Sequence, residues 1–326
     1  MSLRLIGLLS AVLTLVAGCG IAASDEDAAA PTREFAADNG TVTIPKDPKR
    51  IVVTGYAVPV LIEAGAPLVA SSTWARSLEL MTPKQRATYD GLTKVSGELT
   101  TEMNYEAVAE ADPDLIIIGV PRQLLGELDM DRLNQTAPVV ALGPTLPDGW
   151  RELSRRQSDA ANRLGAYDEN RKAYEEKAAK LTERYAEVLR GKKFGHVGGY
   201  GDVSAGNFQR EFAGSWGTNI AGDIGVEYYG QVKEKGPGGK SVSEYPSIEE
   251  LPTSLGQADA ITFSVGPDGS PGAAVRYVLD SPLWQSLPAV QAGMVFPVRY
   301  TEATTYPSAM STLDSLDEVL SPLLAR

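Results

Sequence analysis

Short runs of Val, Ile and Leu alternate along the chain with stretches that carry the wider apolar spacing of helices. The runs that we predict as strands are residues 50–54, 67–71, 114–120, 138–142, 194–200, 259–265 and 294–298. Strands of this composition that alternate with helices favour parallel sheets covered on both faces. The pattern therefore predicts an α/β fold.

This alternation stops between residues 150 and 190, where proline is absent and apolar residues recur at near-helical spacing among many charges. The segment predicts one long helix or two abutting ones, and Gly191 ends it. It is far longer than a crossover between two strands requires. We therefore predict two Rossmann-like α/β lobes with mainly parallel sheets, at residues 42–148 and 192–326, and a linking helix at residues 149–191.

The first residues have the pattern of an export signal. Arg4 precedes an apolar run at residues 5–17, which is too short for a transmembrane span of about 20 residues. The run ends at Val16-Ala17-Gly18-Cys19, which resembles the lipobox of bacterial lipoprotein signals. We predict a signal peptide at residues 1–18, a lipid on Cys19, and a flexible tether at residues 19–41 that is small and acidic in composition. The alternative is a secreted protein with a stray cysteine in its signal.

Composition narrows the class of function. A formal net charge of −12 argues against a nucleic-acid partner, which needs an excess of Lys and Arg. One histidine, His196, and one cysteine argue against a zinc-type site on the protein. The segment Gly236-Pro-Gly-Gly-Lys240-Ser241 resembles the end of a P-loop, but Glu234 stands where that motif requires glycine. A Ser-His-Asp hydrolase would need His196 as its base, and no G-x-S-x-G motif is present to supply its nucleophile.

Aromatic and arginine side chains recur where predicted strands end, which is where ligands bind in α/β sheets. Rings and guanidinium groups suit a bulky ligand with apolar arms and polarised oxygens. The candidate ligand-binding residues are Tyr56, Trp74, Arg76, Arg122, Tyr200, Arg210, Trp216, Tyr229, Arg299 and Tyr300, and the same chemistry continues at Tyr228 and Tyr306. We expect at least four of these side chains to line one cleft.

A faint internal repeat supports two similar lobes. Asn104-Tyr-Glu106 leads through Asp112-Pro-Asp114 into an apolar run, and Ser247-Ile-Glu249 leads through Ala258-Asp259 into another. Each copy places a Glu in the first turn of a helix, where the helix dipole favours it. The dipole explains each Glu by itself, but it does not predict that the same pattern occurs in both lobes.

Several segments, in this order and spacing, resemble the iron-siderophore and cobalamin type of substrate-binding protein from ABC importers. They are Pro48-Lys-Arg-Ile-Val-Val, Met103-Asn-Tyr-Glu-Ala-Val, Ala111-Asp-Pro-Asp-Leu-Ile-Ile, Leu133-Asn-Gln-Thr-Ala-Pro-Val, Phe212-Ala-Gly-Ser-Trp, Ser247-Ile-Glu-Glu-Leu and Ser281-Pro-Leu-Trp-Gln-Ser-Leu-Pro. The resemblance implies two lobes bridged by a single rigid backbone helix, with ligand held between them. It also implies that Glu106 and Glu249 face arginines of the permease, one from each lobe.

The resemblance carries over less fully in the pocket. Trp74 and Arg122 occupy positions that contact ligand in hydroxamate-siderophore relatives. A further arginine of those relatives falls near Thr100 here, and a tryptophan of the second lobe falls near Ser241. These departures bear on the identity of the ligand.

The leading hypothesis is a lipid-anchored monomer on the outer face of the cytoplasmic membrane that captures a ferric siderophore and delivers it to ABC permease subunits. Iron would be ligated by the siderophore, so no cofactor is expected on the protein itself. The few arginines favour a neutral or cationic ferric hydroxamate over a trianionic catecholate. Haem or cobalamin binding is the alternative within the class. A surface hydrolase that uses His196 and a structural or adhesive lipoprotein with a closed, dry cleft are the alternatives outside it.

Overall fold

The computed structural model describes residues 31–76 and 78–325. The predicted signal peptide at residues 1–18 and the lipid site Cys19 lie outside the described residues. The first described elements are strands β1 (Thr32–Ala37) and β2 (Gly40–Pro45), which form an antiparallel hairpin. This hairpin corrects the prediction of a flexible tether as far as residue 41. Phe35 and Ile44 are buried in the first lobe, and Asn39 in the turn bonds the main chain at Val139 and Ala141.

The first lobe is built on a five-stranded parallel sheet with the order β5-β4-β3-β6-β7. Its strands are β3 (Ile51–Gly55), β4 (Leu68–Ser72), β5 (Thr93–Ser96), β6 (Leu115–Gly119) and β7 (Val139–Ala141). Its helices are α1 (Ala57–Glu63), α2 (Pro83–Gly91), α3 (Tyr105–Glu110) and α4 (Met130–Thr136). Ile51 and Val53 enter one apolar cluster, whereas Val52 enters the cluster on the other face. Because both faces are covered, the central strands are continuous apolar runs.

Two consecutive helices connect the lobes. They are α5 (Trp150–Ala160) and α6 (Leu164–Leu189), so the second of the two predicted alternatives is the observed one. Asn162 adopts a left-handed conformation, with φ at 54°, in the three-residue break between them. Leu153 of α5 packs in the core of the first lobe, and Tyr185 of α6 packs in the core of the second. Trp150, at the start of α5, also packs in the core of the second lobe, so α5 contacts both lobes.

The second lobe has a mixed sheet with the order β11-β9-β8-β12-β13, and β10 also pairs with β8. Its strands are β8 (Lys193–Val197), β9 (Arg210–Glu211), β10 (Glu227–Tyr228), β11 (Ser243–Glu244), β12 (Ala260–Val265) and β13 (Val295–Arg299). Its helices are α7 (Asn219–Gly222), α8 (Leu251–Leu255), α9 (Ala273–Leu279), α10 (Pro282–Gln285), α11 (Pro288–Gln291) and α12 (Tyr306–Leu320). Strands β8, β12 and β13 run parallel, whereas β9 and β11 are antiparallel to their neighbours. The prediction of two α/β lobes with mainly parallel sheets is confirmed.

The internal repeat has a structural counterpart. Asn104 and Ser247 cap the helical turns that carry Glu106 and Glu249, each accepting a main-chain N–H with its side chain. Asp114 accepts hydrogen bonds from the main chain at Lys49 and Arg50, and Asp259 accepts one from Lys193. Each Asp thus fixes the start of its own strand against the neighbouring strand of the sheet, which is β3 for Asp114 and β8 for Asp259. Along the described part of the chain, no helix is both long and apolar enough to cross a membrane.

Candidate functional site

The site begins where β3 and β6 end side by side. Gly55 has φ at 59°, and a Cβ there would lie 2.4 Å from the carbonyl oxygen of Gly119. The Tyr56 N–H donates to that same carbonyl at 2.8 Å. The close approach therefore requires glycine at position 55. It turns the chain so that Tyr56 leaves the carboxyl edge of the sheet, where ligands bind in α/β folds.

Three aromatic side chains form a column across the cleft between the lobes. The Trp74 ring meets Tyr56 edge-on, with centroids 4.8 Å apart and an interplanar angle of 62°. On the other side, Trp216 of the second lobe lies nearly parallel to Tyr56, with centroids 6.5 Å apart and an angle of 11°. Trp74 is only 7% exposed, so it forms the buried end of this column, in the core of the first lobe. We call Trp74, Tyr56 and Trp216 the aromatic column.

Two cavities meet at this column. The larger has a volume of about 770 Å³ and is lined by both lobes: Asp38, Tyr56, Pro121, Arg122, Gln123, Gly143, Pro144, Thr145, Leu146, Pro147, Trp216, Pro237, Gly238 and Gly239. The smaller has a volume of about 480 Å³ and belongs to the first lobe: Gly55, Tyr56, Trp74, Arg76, Glu98, Leu99, Thr100, Thr101, Gly119, Val120, Pro121, Leu124 and Glu127. Tyr56 and Pro121 line both cavities. The cleft is thus divided in two, with the larger cavity between the lobes.

Charged groups of both signs surround the cavities. Arg76 donates to the Tyr56 hydroxyl at 3.2 Å and lies within electrostatic reach of Glu98 and Glu302. Tyr200, 45% exposed on the second lobe, hydrogen-bonds Glu302. Burial, and then the negative charge of Glu302, raise the pKa of Tyr200, so its hydroxyl stays neutral. The two lobes therefore face each other through arginine, tyrosine and carboxylate groups as well as through the aromatic column.

A buried polar network lies behind Trp216. His196 is fully buried, with Nδ1 2.7 Å from the Thr262 hydroxyl and Nε2 3.2 Å from that of Ser264. Burial, and then the charge of Arg210, lower the pKa of His196 to about 3. The ring is therefore neutral and has no surface on which a substrate could lie. This placement removes the support for the predicted alternative of a hydrolase that uses His196 as its base.

Five of the ten predicted ligand residues line the two cavities, namely Tyr56, Trp74, Arg76, Arg122 and Trp216. Tyr200 joins them across the cleft through its proximity to Arg76. This agrees with the expectation that at least four of the set lie along one cleft. Whether they contact ligand remains a prediction.

Four of the predicted residues are placed elsewhere. Arg210 is fully buried and donates to the main-chain carbonyls of His196, Glu211 and Tyr229, so its role is structural and the prediction of a ligand contact is corrected. The Tyr229 hydroxyl donates to the Ser254 carbonyl. Arg299 pairs with Glu318 on α12, and Tyr300 occupies a left-handed turn with φ at 61°. None of these four lines either cavity.

Tyr228 and Tyr306 also lie in the core of their lobe. Tyr228 is buried, and its hydroxyl lies 2.9 Å from that of Thr262. Tyr306 is buried among Trp150, Tyr167 and Tyr174, where α12 meets the two linking helices. Both therefore stabilise the second lobe and its junction.

Sequence reasoning missed the acidic members of the cleft, Asp38, Glu98, Glu127 and Glu302. Asp38 sits in the hairpin turn and pairs with Arg156. Glu98 follows β5 by two residues and Glu302 follows β13 by three, so both obey the same strand-end signal as the aromatic residues.

The two Glu of the internal repeat are on the surface. Glu106 is exposed and forms an ion pair with Arg132 of α4, and hydrogen bonding by Arg132 lowers the pKa of Glu106. Glu249 is also exposed. Among residues 31–76 and 78–325, no group of three or more His, Cys, Asp or Glu is placed to hold a metal ion.

Known proteins of similar sequence include two iron(3+)-hydroxamate-binding proteins from one bacterium. The iron(3+)-hydroxamate-binding protein FhuD of Bacillus subtilis (strain 168) is 27% identical over 304 residues, which cover 87% of this chain and 86% of the relative. The iron(3+)-hydroxamate-binding protein YxeB of the same organism is 25% identical over 306 residues, covering 90% and 88%.

A solved structure, the siderophore periplasmic binding protein from the fuscachelin gene cluster of Thermobifida fusca, is 30% identical to this chain. It superposes with a TM-score of 0.69 and covers 86% of this chain and 98% of that one. The fold also matches Staphylococcus aureus SirA complexed with staphyloferrin B, with a TM-score of 0.68 at 21% identity, covering 89% and 99%. These neighbours are binding proteins. Residues 51–299 match the family described as periplasmic binding protein, and the chain belongs to that family.

Proposed function

We propose that this protein captures a ferric siderophore in the cleft between its lobes and delivers it to an ABC permease. One observation carries the proposal: Tyr56, Arg122 and Trp216 bring rings and a guanidinium group from both lobes to one cavity of about 770 Å³. That volume is within the range of about 300–1,000 Å³ of small-molecule sites. The named functions of the similar proteins from B. subtilis and T. fusca support the same ligand class.

Charge at the cleft supports a hydroxamate ligand. Arg76 and Arg122 are the arginines that line the two cavities, whereas the carboxylates there are Asp38, Glu98 and Glu127, with Glu302 close by. A trianionic ferric catecholate would meet more negative than positive charge, and like charges brought together cost binding energy. A neutral or cationic ferric hydroxamate avoids this cost. Iron would be held by the ligand, so the protein contributes rings and hydrogen-bond donors.

The remaining parts of the proposal concern location and delivery. Cys19 would carry a lipid that holds the protein, as a monomer, on the outer face of the cytoplasmic membrane. Glu106 and Glu249, one exposed on each lobe, would then meet arginines of the permease. Exposed pairs contribute little affinity individually, but two pairs far apart fix orientation.

A titration with a panel of ligands tests the proposal. Tryptophan fluorescence and thermal unfolding of the protein are followed with cationic and neutral ferric trihydroxamates, a ferric catecholate, haem and cobalamin. We expect quenching and stabilisation by at least one ferric hydroxamate. A response to haem or cobalamin alone would move the function to that alternative. No response to any member would contradict the proposal.

A further inference from the structure

Glu211 lies directly behind the cleft, at the end of β9. Its side chain is buried, at 2% exposure, and its Oε2 accepts a hydrogen bond of 2.6 Å from the Gly217 N–H. The Ser215 side chain also hydrogen-bonds it. Trp216 is the residue between these two. The carboxyl group therefore holds both ends of the short turn that carries Trp216 into the cleft.

The turn at residues 215–217 packs closely against this carboxyl group and against His196. The His196 Nε2 lies 3.6 Å from Glu211 Oε2. A Cβ on Gly217 would fall 2.0 Å from His196 Nε2 and 2.6 Å from Glu211 Oε2, so the turn reaches this position only with glycine. Because His196 is itself held by Thr262 and Ser264, the platform under the turn is rigid. Glu211 therefore contacts the residues on both sides of Trp216, against a rigid support.

We propose that Glu211 is a positioning residue for the ligand cleft, which fixes the Trp216 ring through the Gly217 amide and makes its position depend on whether the carboxyl group is ionised. The effect on ligand rests on the proposed function, whereas the effect on Trp216 does not. In the ionised form the bond from Gly217 N–H is charge-assisted and about twice as strong as in the neutral form. The ring is thus held more firmly when Glu211 carries its charge.

The electrostatic surroundings place this ionisation near neutral pH. Burial, and to a lesser extent the charge of Glu302, raise the pKa of Glu211 to about 7, although the hydrogen bonds from Gly217 and Ser215 and the charge of Arg210 lower it. The other ionisable groups facing Glu211 are His196, which burial keeps neutral, and the hydroxyls of Tyr228 and Tyr245. Since these tyrosines have raised pKa values, Glu211 is the group in this network that changes charge between pH 6 and 8.

The first experiment needs no siderophore. Tryptophan emission of the ligand-free protein is recorded from pH 5.5 to 8.5 for the wild type, Glu211→Gln, Trp216→Phe and Glu227→Gln. We expect a shift with a midpoint near pH 7 in the wild type, and its loss in Glu211→Gln and in Trp216→Phe. Glu227 is exposed in the same lobe, so Glu227→Gln removes the same charge and should keep the shift. Glu63→Gln should also keep it, although burial raises the pKa of Glu63 to about 8.

A shift that persists in Glu211→Gln, or one that keeps its full amplitude in Trp216→Phe, would overturn the inference. If Glu211→Gln does not fold, an NMR titration of the wild type still tests the proposal. Its ¹⁵N-labelled Gly217 amide proton and the Trp216 indole should then titrate together, and separate midpoints would contradict the proposal.

The second experiment measures binding of a cationic ferric trihydroxamate at pH 6 and pH 8. We expect affinity to rise about fivefold between these values in the wild type, as a stronger charge-assisted bond predicts. In Glu211→Gln it should stay at the wild-type value for pH 6. Equal pH dependence in both proteins would overturn the regulatory role. Absence of binding at either pH would count against the proposed function, and the ligand-free titration would still test Glu211.

Discussion

The rings of Tyr56 and Trp216 face each other across the cleft, with centroids 6.5 Å apart and planes inclined by only 11°. They belong to opposite lobes, and both line the cavity of about 770 Å³. A ligand that fills that cavity contacts these rings or separates them. In either case the surroundings of Trp216 change when the cleft is filled.

Trp216→Phe should reduce the fluorescence quenching that accompanies ligand binding and weaken affinity about threefold. The reason is the loss of part of a ring contact, worth about 0.5–1.5 kcal/mol beyond its buried area. Trp284→Phe is the matched control, because Trp284 is 4% exposed in the core of the same lobe, where it meets Phe263. Quenching titrations with a ferric trihydroxamate check both variants. Equal losses in the two would show that Trp216 has no special relation to the ligand.

Glu302→Gln should change which ligand charge the cleft accepts. Glu302 lies near Arg76 and hydrogen-bonds Tyr200, so removing its charge leaves Arg76 less neutralised. We expect affinity for an anionic ferric catecholate to rise severalfold and affinity for a cationic ferric hydroxamate to fall. High salt should shrink both changes because it screens partly exposed charges. Glu227→Gln is the charge-matched control, and the same change in both variants would contradict the local role of Glu302.

The central strands could be predicted because both of their faces are buried. Residues 114–120 are a continuous apolar run, and Leu115–Gly119 is the observed strand. The hairpin at β1 and β2 was missed because its strands are largely polar, with only Phe35 and Ile44 buried. The turn sequence Asp38-Asn39-Gly40 was a usable hairpin signal.

The cleft could be predicted in part, because strand ends identify an edge of a sheet but not the direction of a side chain. Tyr56 and Arg122 follow parallel strands and face the cleft. Arg210 lies in β9, which runs antiparallel beside β8, and its side chain lies between the rings of Phe212 and Tyr229. The antiparallel pairing of β9 with β8 joins Arg210 to Val197. The spacing of apolar residues along the chain does not reveal such a pairing.

Glu63→Gln should make the stability of the protein less dependent on pH. Burial raises the pKa of Glu63 to about 8, against its hydrogen bond with Thr305 of the other lobe. A carboxyl group with a raised folded-state pKa contributes stability that is complete below its unfolded value of about 4.3 and is lost as pH rises through 8. We expect the wild-type melting temperature to fall from pH 5 to pH 9, and to fall less in the variant. Glu79→Gln, which changes an exposed carboxyl group, should behave as the wild type does.

Cys19→Ala should release the protein from the membrane. If the cysteine carries a lipid, the wild type incorporates a labelled fatty acid and sediments with membranes, whereas the variant does neither. The purified variant should bind ligand as the wild type does, because residue 19 precedes the hairpin that begins the described fold. Labelling that survives the substitution would contradict the proposed anchor.

Glu106→Arg and Glu249→Arg should abolish siderophore uptake by cells while leaving binding by the purified protein unchanged. Each substitution turns a proposed attraction to a permease arginine into a repulsion, and the two sites lie on different lobes, away from the cavity linings. Glu110→Arg is the matched control for the first lobe, since Glu110 is exposed at the end of the same helix. Arg132→Ala frees Glu106 from its ion pair and should not impair uptake if Glu106 exchanges that partner for a permease arginine. Normal uptake by both charge-reversal variants would refute the docking role, because the binding measurement excludes a folding defect as a cause.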